Sequence, residues 1–174
     1  MRGVDTISNI IRFLLLVFLQ VFIFRQVKLG WGGADYIFVM VAPLFIALLP
    51  LRTPRPLVVI FAFLMGLSVD FFYETLGVHA AAATFTGYIR QFALAFLAPK
   101  DGYKVKARPD GKDLSRTWWI QYLGIVITAY AVFYFSMEAF SPVYWQQILL
   151  KSLFTIPISW LLCGILVSFL RPRI

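Results

Sequence analysis

The chain has 174 residues, of which 61% are hydrophobic and 14% are charged. This composition excludes a soluble globular domain of that length and indicates an integral membrane protein. Sixteen Lys and Arg residues outnumber eight Asp and Glu residues, which gives a formal charge of +8. In a membrane protein such an excess reports first on topology, and nucleic acid is not expected as a partner.

Apolar runs long enough to cross about 30 Å of hydrocarbon predict an all-α polytopic membrane protein with six transmembrane helices. One membrane domain over residues 1–174 accounts for the whole chain. The second run is short and contains Pro43 and Pro50, so we expect a kink or a tilt there. The predicted helices cover residues 8–25, 36–51, 57–75, 77–98, 118–140 and 147–170.

The positive residues predict the orientation of these helices. Six spans put both termini on one side, where the 52–56 turn and the 99–117 loop also lie, and this side carries most of the Lys and Arg. The opposite side carries only Arg25, Lys28 and Lys151. By the positive-inside rule we therefore expect both termini to be cytoplasmic.

The 99–117 loop is the longest connection and is strongly basic. Its charge is sufficient for contact with anionic lipid of the inner leaflet. The loop is either a solvated segment that only reports topology or a docking point for a cytoplasmic protein. The six basic residues are Lys100, Lys104, Lys106, Arg108, Lys112 and Arg116.

Four polar residues interrupt the apolar runs of the third and fourth helices. A carboxylate at membrane depth is unfavourable by several kcal/mol unless it is paired or hydrated, and Asp70 is expected in the outer half of the bilayer. His79 and Arg90 are its alternative partners, and Glu74 lies one helical turn beyond it. The cluster either clamps the two helices together or contacts a partner, a ligand or a proton.

Small residues recur at helical spacing around this cluster. In hydrocarbon they usually mark helix packing, either within the chain or against another protein. The residues concerned are Gly66, Gly77, Ala80, Ala83, Thr84 and Gly87.

Motifs for catalysis and for metal binding are missing from the sequence. It contains no G-x-S-x-G, H-E-x-x-H or P-loop pattern, and Asp70 has no second aspartate with which to form a protease dyad. His79 is the one histidine and Cys163 the one cysteine, far apart in the sequence. We therefore expect no enzyme activity, no metal and no cofactor.

The string Gly66-x-x-x-Asp70, followed by Thr75-Leu76-Gly77-Val78-His79-Ala80, resembles the most recognisable segment of the MreD family of rod-shape-determining proteins. The length and the short loops are also similar. The resemblance implies a non-enzymatic scaffold of the Rod complex in the bacterial cytoplasmic (inner) membrane. Such a subunit supports cell shape and side-wall peptidoglycan synthesis.

The resemblance also implies partners. These are a bitopic MreC-like protein and, beyond it, MreB, RodA and a class B penicillin-binding protein. On this chain, the region of Asp70, Glu74 and His79 and the small-residue face of the fourth helix become candidates for the MreC contact, and the basic loop for the cytoplasmic contact.

A second class of protein has a similar layout. Six short helices without a soluble domain also resemble the substrate-binding subunits of energy-coupling-factor vitamin transporters. In that case Asp70, His79 and Arg90 would line an outward-facing ligand cavity.

Overall fold

A computed structural model describes residues 2–31, 34–100, 102–103, 109, 114–140 and 142–170. In this part of the chain the fold consists of six α-helices and one β-hairpin. The helices are α1 (Arg2–Phe18), α2 (Ala42–Leu48), α3 (Arg55–Tyr73), α4 (Val78–Phe96), α5 (Arg116–Ala139) and α6 (Trp145–Leu170), and the strands are β1 (Lys28–Trp31) and β2 (Ala34–Phe38). A π-helical segment (Leu19–Ile23) and a 3-10 turn (Phe24–Gln26) extend α1.

Among the described residues, four helical segments are long and apolar enough to cross a membrane. Their outer surfaces carry many exposed large hydrophobic side chains, such as Phe61, Ile120 and Leu161. A continuous apolar surface of this kind is typical of a protein that faces lipid. The four segments are Ile7–Gln26, Arg55–Tyr73, Arg116–Ala139 and Trp145–Ser168.

The last four predicted helices are confirmed as helices, with ends that differ from α3, α4, α5 and α6 by at most two residues. The first predicted helix corresponds to α1 and its extension. The long apolar runs of these segments carry enough signal to predict their type and extent.

The predicted continuous helix over residues 36–51 is wrong. Residues 34–38 form β2, which pairs antiparallel with β1, and only the seven residues of α2 are helical. Every residue of α2 is buried. Pro43 lies in the first turn of α2, where its missing N–H removes no helical hydrogen bond, so the proline starts this helix instead of kinking a longer one.

The helices pack side by side, with α2 in the centre against α1, α3, α4 and α5. The extended residues before α2 lie along α6, where the backbone N–H of Met40 donates to Ser159 Oγ at 3.0 Å. We call the end of the bundle with the α3–α4 connection (residues 74–77) the turn end. The opposite end, with residues 49–54 and the α4–α5 connection, is the loop end.

Candidate functional site

Asp70 is buried near the end of α3, and its carboxylate caps the N-terminus of α4. Oδ1 accepts from the backbone N–H of His79 at 3.0 Å, and Oδ2 accepts from that of Ala80 at 2.7 Å. The Thr75 hydroxyl also donates to Oδ1. The first amides of a helix have no partner within it and carry partial positive charge, so a carboxylate there is both hydrogen-bonded and electrostatically favoured.

The turn that brings Asp70 to these amides depends on two glycines. A Cβ atom on Gly66 would lie only 2.5 Å from the Ala80 Cα, so α3 and α4 touch here through their backbones. Gly77, immediately before α4, has a φ of +83°, a left-handed conformation that glycine adopts without strain. The Gly-x-x-x-Asp and Leu-Gly elements of the sequence therefore form one helix–turn–helix unit, which we call the α3–α4 clamp (residues 66–80).

Arg90 stabilises a different part of the bundle from Asp70 and lies towards the loop end. Its Nη2 donates to the backbone carbonyls of Leu49 at 2.7 Å and Pro50 at 3.1 Å, and its Nε donates to Tyr122 Oη at 2.8 Å. The Tyr122 hydroxyl donates in turn to the Ala47 carbonyl at 3.3 Å. The cation thus binds the carbonyls that directly follow α2 and, through Tyr122, supports one of the last carbonyls of α2 itself, at a helix end where a positive charge is favoured.

Gln20, in the π-helical segment, stabilises the other end of α2. Its Oε1 accepts from the backbone N–H groups of Val41 at 2.7 Å and Ala42 at 3.2 Å. Its Nε2 donates to the Val39 carbonyl at 3.1 Å and to Tyr73 Oη at 3.0 Å. A buried helix of seven residues therefore has side-chain partners at both ends, which compensates for the loss of water there.

The turn end of the bundle contains a polar cavity of about 200 Å³ between the extension of α1, β2, the C-terminal end of α3, the start of α4 and α5. Its charged and titratable lining consists of Arg25, Tyr73, His79, Tyr134 and Glu138. Asp70 and Arg90 are not among its lining residues. We call this space the turn-end cavity.

His79 is the most deeply buried of these lining residues. Its Nδ1 lies 2.8 Å from Tyr130 Oη, and its ring lies 4.9 Å from the Tyr73 ring and 4.5 Å from the Tyr134 ring. Its Nε2 has no hydrogen-bond partner among the described residues. Asp70 pairs with His79, one of its two alternative partners, but through the backbone amide and not through the imidazole. Arg90, the other alternative, bonds to other groups.

The other residues of the predicted cluster divide into exposed and packed positions. Glu74 is exposed and ends α3 in a left-handed conformation with a φ of 57°. Ala80, Ala83 and Gly87 are buried, whereas Thr84 is half-buried. A Cβ on Gly87 would lie 3.0 Å from Ala62 Cβ, so this part of the small-residue face packs against α3 of the same chain.

The predicted basic loop lies partly outside the described residues, which exclude Lys104, Lys106, Arg108 and Lys112. Lys100 is exposed after α4, and Arg116 is exposed at the start of α5. Tyr103 folds back onto the bundle, where its hydroxyl donates to the Leu94 carbonyl at 2.7 Å. Burial raises the pKa of the Tyr103 hydroxyl, which keeps it protonated as a donor.

Gln20, Tyr122 and Tyr130 complete these networks, and the sequence did not single them out. Gln20 is the one uncharged amide side chain between Arg12 and Arg25 of the first helix, so the sequence alone could have identified it. Tyr122 and Tyr130 could not have been identified from the sequence in this way, since tyrosine is common in membrane helices. Among the described residues, no group of three His, Cys, Asp or Glu side chains is placed to hold a metal ion.

The described residues thus form a predominantly helical protein, and four of its helices are compatible with a multi-pass membrane protein. Comparisons of the chain with protein-family models, with curated proteins and with solved structures found no match.

Proposed function

We propose that this chain is a non-enzymatic scaffold subunit of the bacterial Rod complex in the cytoplasmic membrane. The observation that carries the proposal is the α3–α4 clamp. The residues that resemble the MreD family are the ones that need specific chemistry in this turn: Gly66 for backbone contact, Asp70 for the helix cap and Gly77 for its positive φ. The resemblance therefore includes three residues, each of which has a physical reason in this turn.

The positions of the buried polar groups support a scaffold over an enzyme. Asp70, Arg90 and Gln20 each hydrogen-bond to backbone groups at helix ends of their own chain. A carboxylate or guanidinium used in this way stabilises one conformation of the bundle. Such a rigid bundle suits a subunit that positions other proteins.

The element lengths support six crossings of the membrane. α3 and α4 each have 19 residues, and 19 residues span about 28 Å at 1.5 Å per residue. Between Tyr36 and Leu48 the chain runs from the turn end to the loop end, with an extended part followed by α2. Extended backbone at membrane depth is tolerated when protein surrounds it. Here α6 and α5 pack against it, through Ser159 and Phe135.

The contact surface for an MreC-like protein is then the exposed part of the turn, because Asp70 and His79 are buried in their own chain. Leu76 is fully exposed, and Phe71 is 80% exposed beside Glu74. An exposed apolar patch next to a charge is typical of a docking surface. On the cytoplasmic side, the basic loop is the candidate for contact with MreB or with anionic lipid.

Co-purification tests the function. The tagged chain is co-expressed with a bitopic MreC-like protein and solubilised in detergent; recovery of that protein with no tightly bound small molecule is expected. Leu76→Glu should abolish the recovery, whereas Phe96→Ala, at an exposed residue of the loop end, should leave it unchanged. Recovery of an ATPase partner together with a bound vitamin would overturn the proposal.

Cysteine labelling tests the orientation independently. The native Cys163 is fully buried, so its background labelling should be low. In intact cells, a membrane-impermeant maleimide should label Leu76→Cys, and it should label Lys100→Cys only after permeabilisation. The opposite pattern contradicts the proposed orientation.

The transporter alternative is less well supported by the geometry. It needs Asp70, His79 and Arg90 around one outward-facing cavity, and only His79 lines the turn-end cavity. The volume of about 200 Å³ is also below the roughly 300–1,000 Å³ of pockets for drug-sized ligands.

A further inference from the structure

The turn-end cavity contains a buried hydrogen-bonding atom that the chain itself does not satisfy. His79 is 2% exposed, and its Nε2 has no partner among the described residues. A buried polar atom without a hydrogen bond is unfavourable, because the hydration that it had in water has not been replaced. Gln20 and Tyr73 also line this cavity, but they hydrogen-bond to each other and to backbone atoms. They therefore need no ligand in the cavity to satisfy them.

The hydrogen bond at Nδ1 determines what Nε2 offers. Tyr130 is fully buried, and His79 Nδ1 is the one hydrogen-bond partner of its hydroxyl among the described residues. If Nδ1 carried the proton of a neutral ring, the hydroxyl hydrogen would have no acceptor. The hydroxyl therefore donates to Nδ1, and Nε2 carries the hydrogen. A doubly protonated imidazole also has a hydrogen on Nε2, so in both states the group that satisfies it is an acceptor.

The charges around the cavity favour an anionic acceptor. Glu138 is neutralised by Lys151, whose Nζ lies 2.8 Å from Oε2. Arg25 lies over the Tyr73 ring, with its Cζ 5.5 Å from the ring centroid, and has no carboxylate partner among the described residues. The buried Asp70 carboxylate is already bonded to the α4 amides and to Thr75. The uncompensated charge that faces the cavity is thus the guanidinium of Arg25.

From this arrangement we propose that the turn-end cavity is a binding site for a carboxylate group. Nε2–H of His79 donates to one carboxylate oxygen, and Arg25 pairs with the group at the rim. The cavity of about 200 Å³ has room for a carboxylate and a few waters, since one water occupies about 30 Å³. The carboxylate belongs either to a side chain of a partner protein or to a small free acid, and both present the same chemistry.

The single histidine of the chain makes this site directly observable. The protein is labelled with ¹⁵N at its imidazole, reconstituted in nanodiscs of uncharged lipid and titrated with sodium acetate at constant ionic strength. The expected result is a saturable shift of the Nε2 resonance with acetate, and none over the same range with acetamide, which has the same shape without the charge. Arg25→Gln should weaken the acetate response about tenfold.

Arg52→Gln is the matched control, because Arg52 is an exposed arginine at the loop end, and its acetate response should equal that of the unmodified chain. Absence of a saturable shift would indicate that water alone fills the cavity, and it would overturn the proposed carboxylate site. An equal response to acetamide, or an unchanged response in Arg25→Gln, also overturns it.

A second arm identifies the source of the carboxylate. The titration is repeated on the complex with the MreC-like protein. Loss of the acetate response indicates that a partner side chain occupies the cavity, and a retained response indicates a free acid. The first arm needs no partner, so failure of the proposed function leaves the test of the site intact.

Discussion

At the turn end, the Asp70 carboxylate accepts hydrogen bonds from the amides that begin α4; towards the loop end, the Arg90 guanidinium donates to the carbonyls that follow α2. Both are buried charges, and each has the sign that the helix dipole favours. They differ in the elements that they connect. Asp70 connects α3 to α4, the next helix along the chain, whereas Arg90 connects α4 to a segment about forty residues earlier. Each of these two buried charges is therefore explained by a helix end and not by an opposite charge.

The largest effect is expected for Arg90→Met, which keeps most of the apolar stem and removes every donor. The carbonyls of Leu49 and Pro50 and the Tyr122 hydroxyl lose their charged partner, so the free energy of unfolding should fall by about 3 kcal/mol or more. Thermal unfolding in detergent measures the change. Arg52→Met, at an exposed arginine, should change stability by no more than about 0.5 kcal/mol. Equal effects of the two substitutions would remove the role assigned to Arg90.

Asp70→Asn should have the next largest effect. The amide group keeps one acceptor oxygen but directs an N–H group towards a backbone amide of α4, and the negative charge is lost. We expect a loss of about 2 kcal/mol, in the range of hydrogen bonds to charged groups. Glu74→Gln, which removes a charge at an exposed residue of the same turn, is the control and should be nearly neutral. If Asp70→Asn is stable but loses the MreC-like partner, the carboxylate belongs to a contact with another chain.

Gly66→Ala tests the α3–α4 clamp separately from the two buried charges, because it changes neither Asp70 nor Arg90. The added methyl group would overlap the backbone at His79 and Ala80, and overpacking of this kind costs about 1–3 kcal/mol. Gly164→Ala is the matched control, since a Cβ there meets nothing within 4 Å. Within a helix it should stabilise by about 0.5–1 kcal/mol. Thermal unfolding of the two variants should therefore shift in opposite directions.

The smallest of these effects is expected for Gly77→Ala. The residue has a positive φ and open space around it, so the cost is backbone strain of about 1 kcal/mol. Asn tolerates this conformation better, so Gly77→Asn should lose less stability than Gly77→Ala in the same unfolding measurement. Equal stability of all three proteins would indicate that the turn relaxes out of the left-handed conformation.

Hydrophobic runs were sufficient to predict α3 to α6, because long membrane-length segments have one stable backbone conformation in lipid. They failed over residues 36–51. There the chain is surrounded by its own helices, and Gln20 and Arg90 satisfy backbone groups that a regular helix would satisfy itself. Neither contact leaves a local pattern, since their partners are backbone atoms distant in sequence.

The candidate site, like the fold, was predictable from the sequence only in part. Asp70 was correctly expected close to the turn, but every residue carries a backbone amide, so the sequence does not reveal that amides are its partners. Gly66 and Gly77 were expected to serve packing, and the structure gives Gly77 a conformational role instead. The turn-end cavity depends on Arg25, Tyr134 and Glu138, which come together only in the folded bundle.

Hydrogen exchange by mass spectrometry, compared between Asp70→Asn and Arg90→Met in one detergent, tests whether each buried charge stabilises only its own helix end. We predict faster amide exchange in residues 78–82 for Asp70→Asn, with α2 unchanged. For Arg90→Met we predict faster exchange in residues 44–49, with the start of α4 unchanged. Faster exchange of both segments in both variants, or of neither, would contradict the assignment of each buried charge to its own helix end.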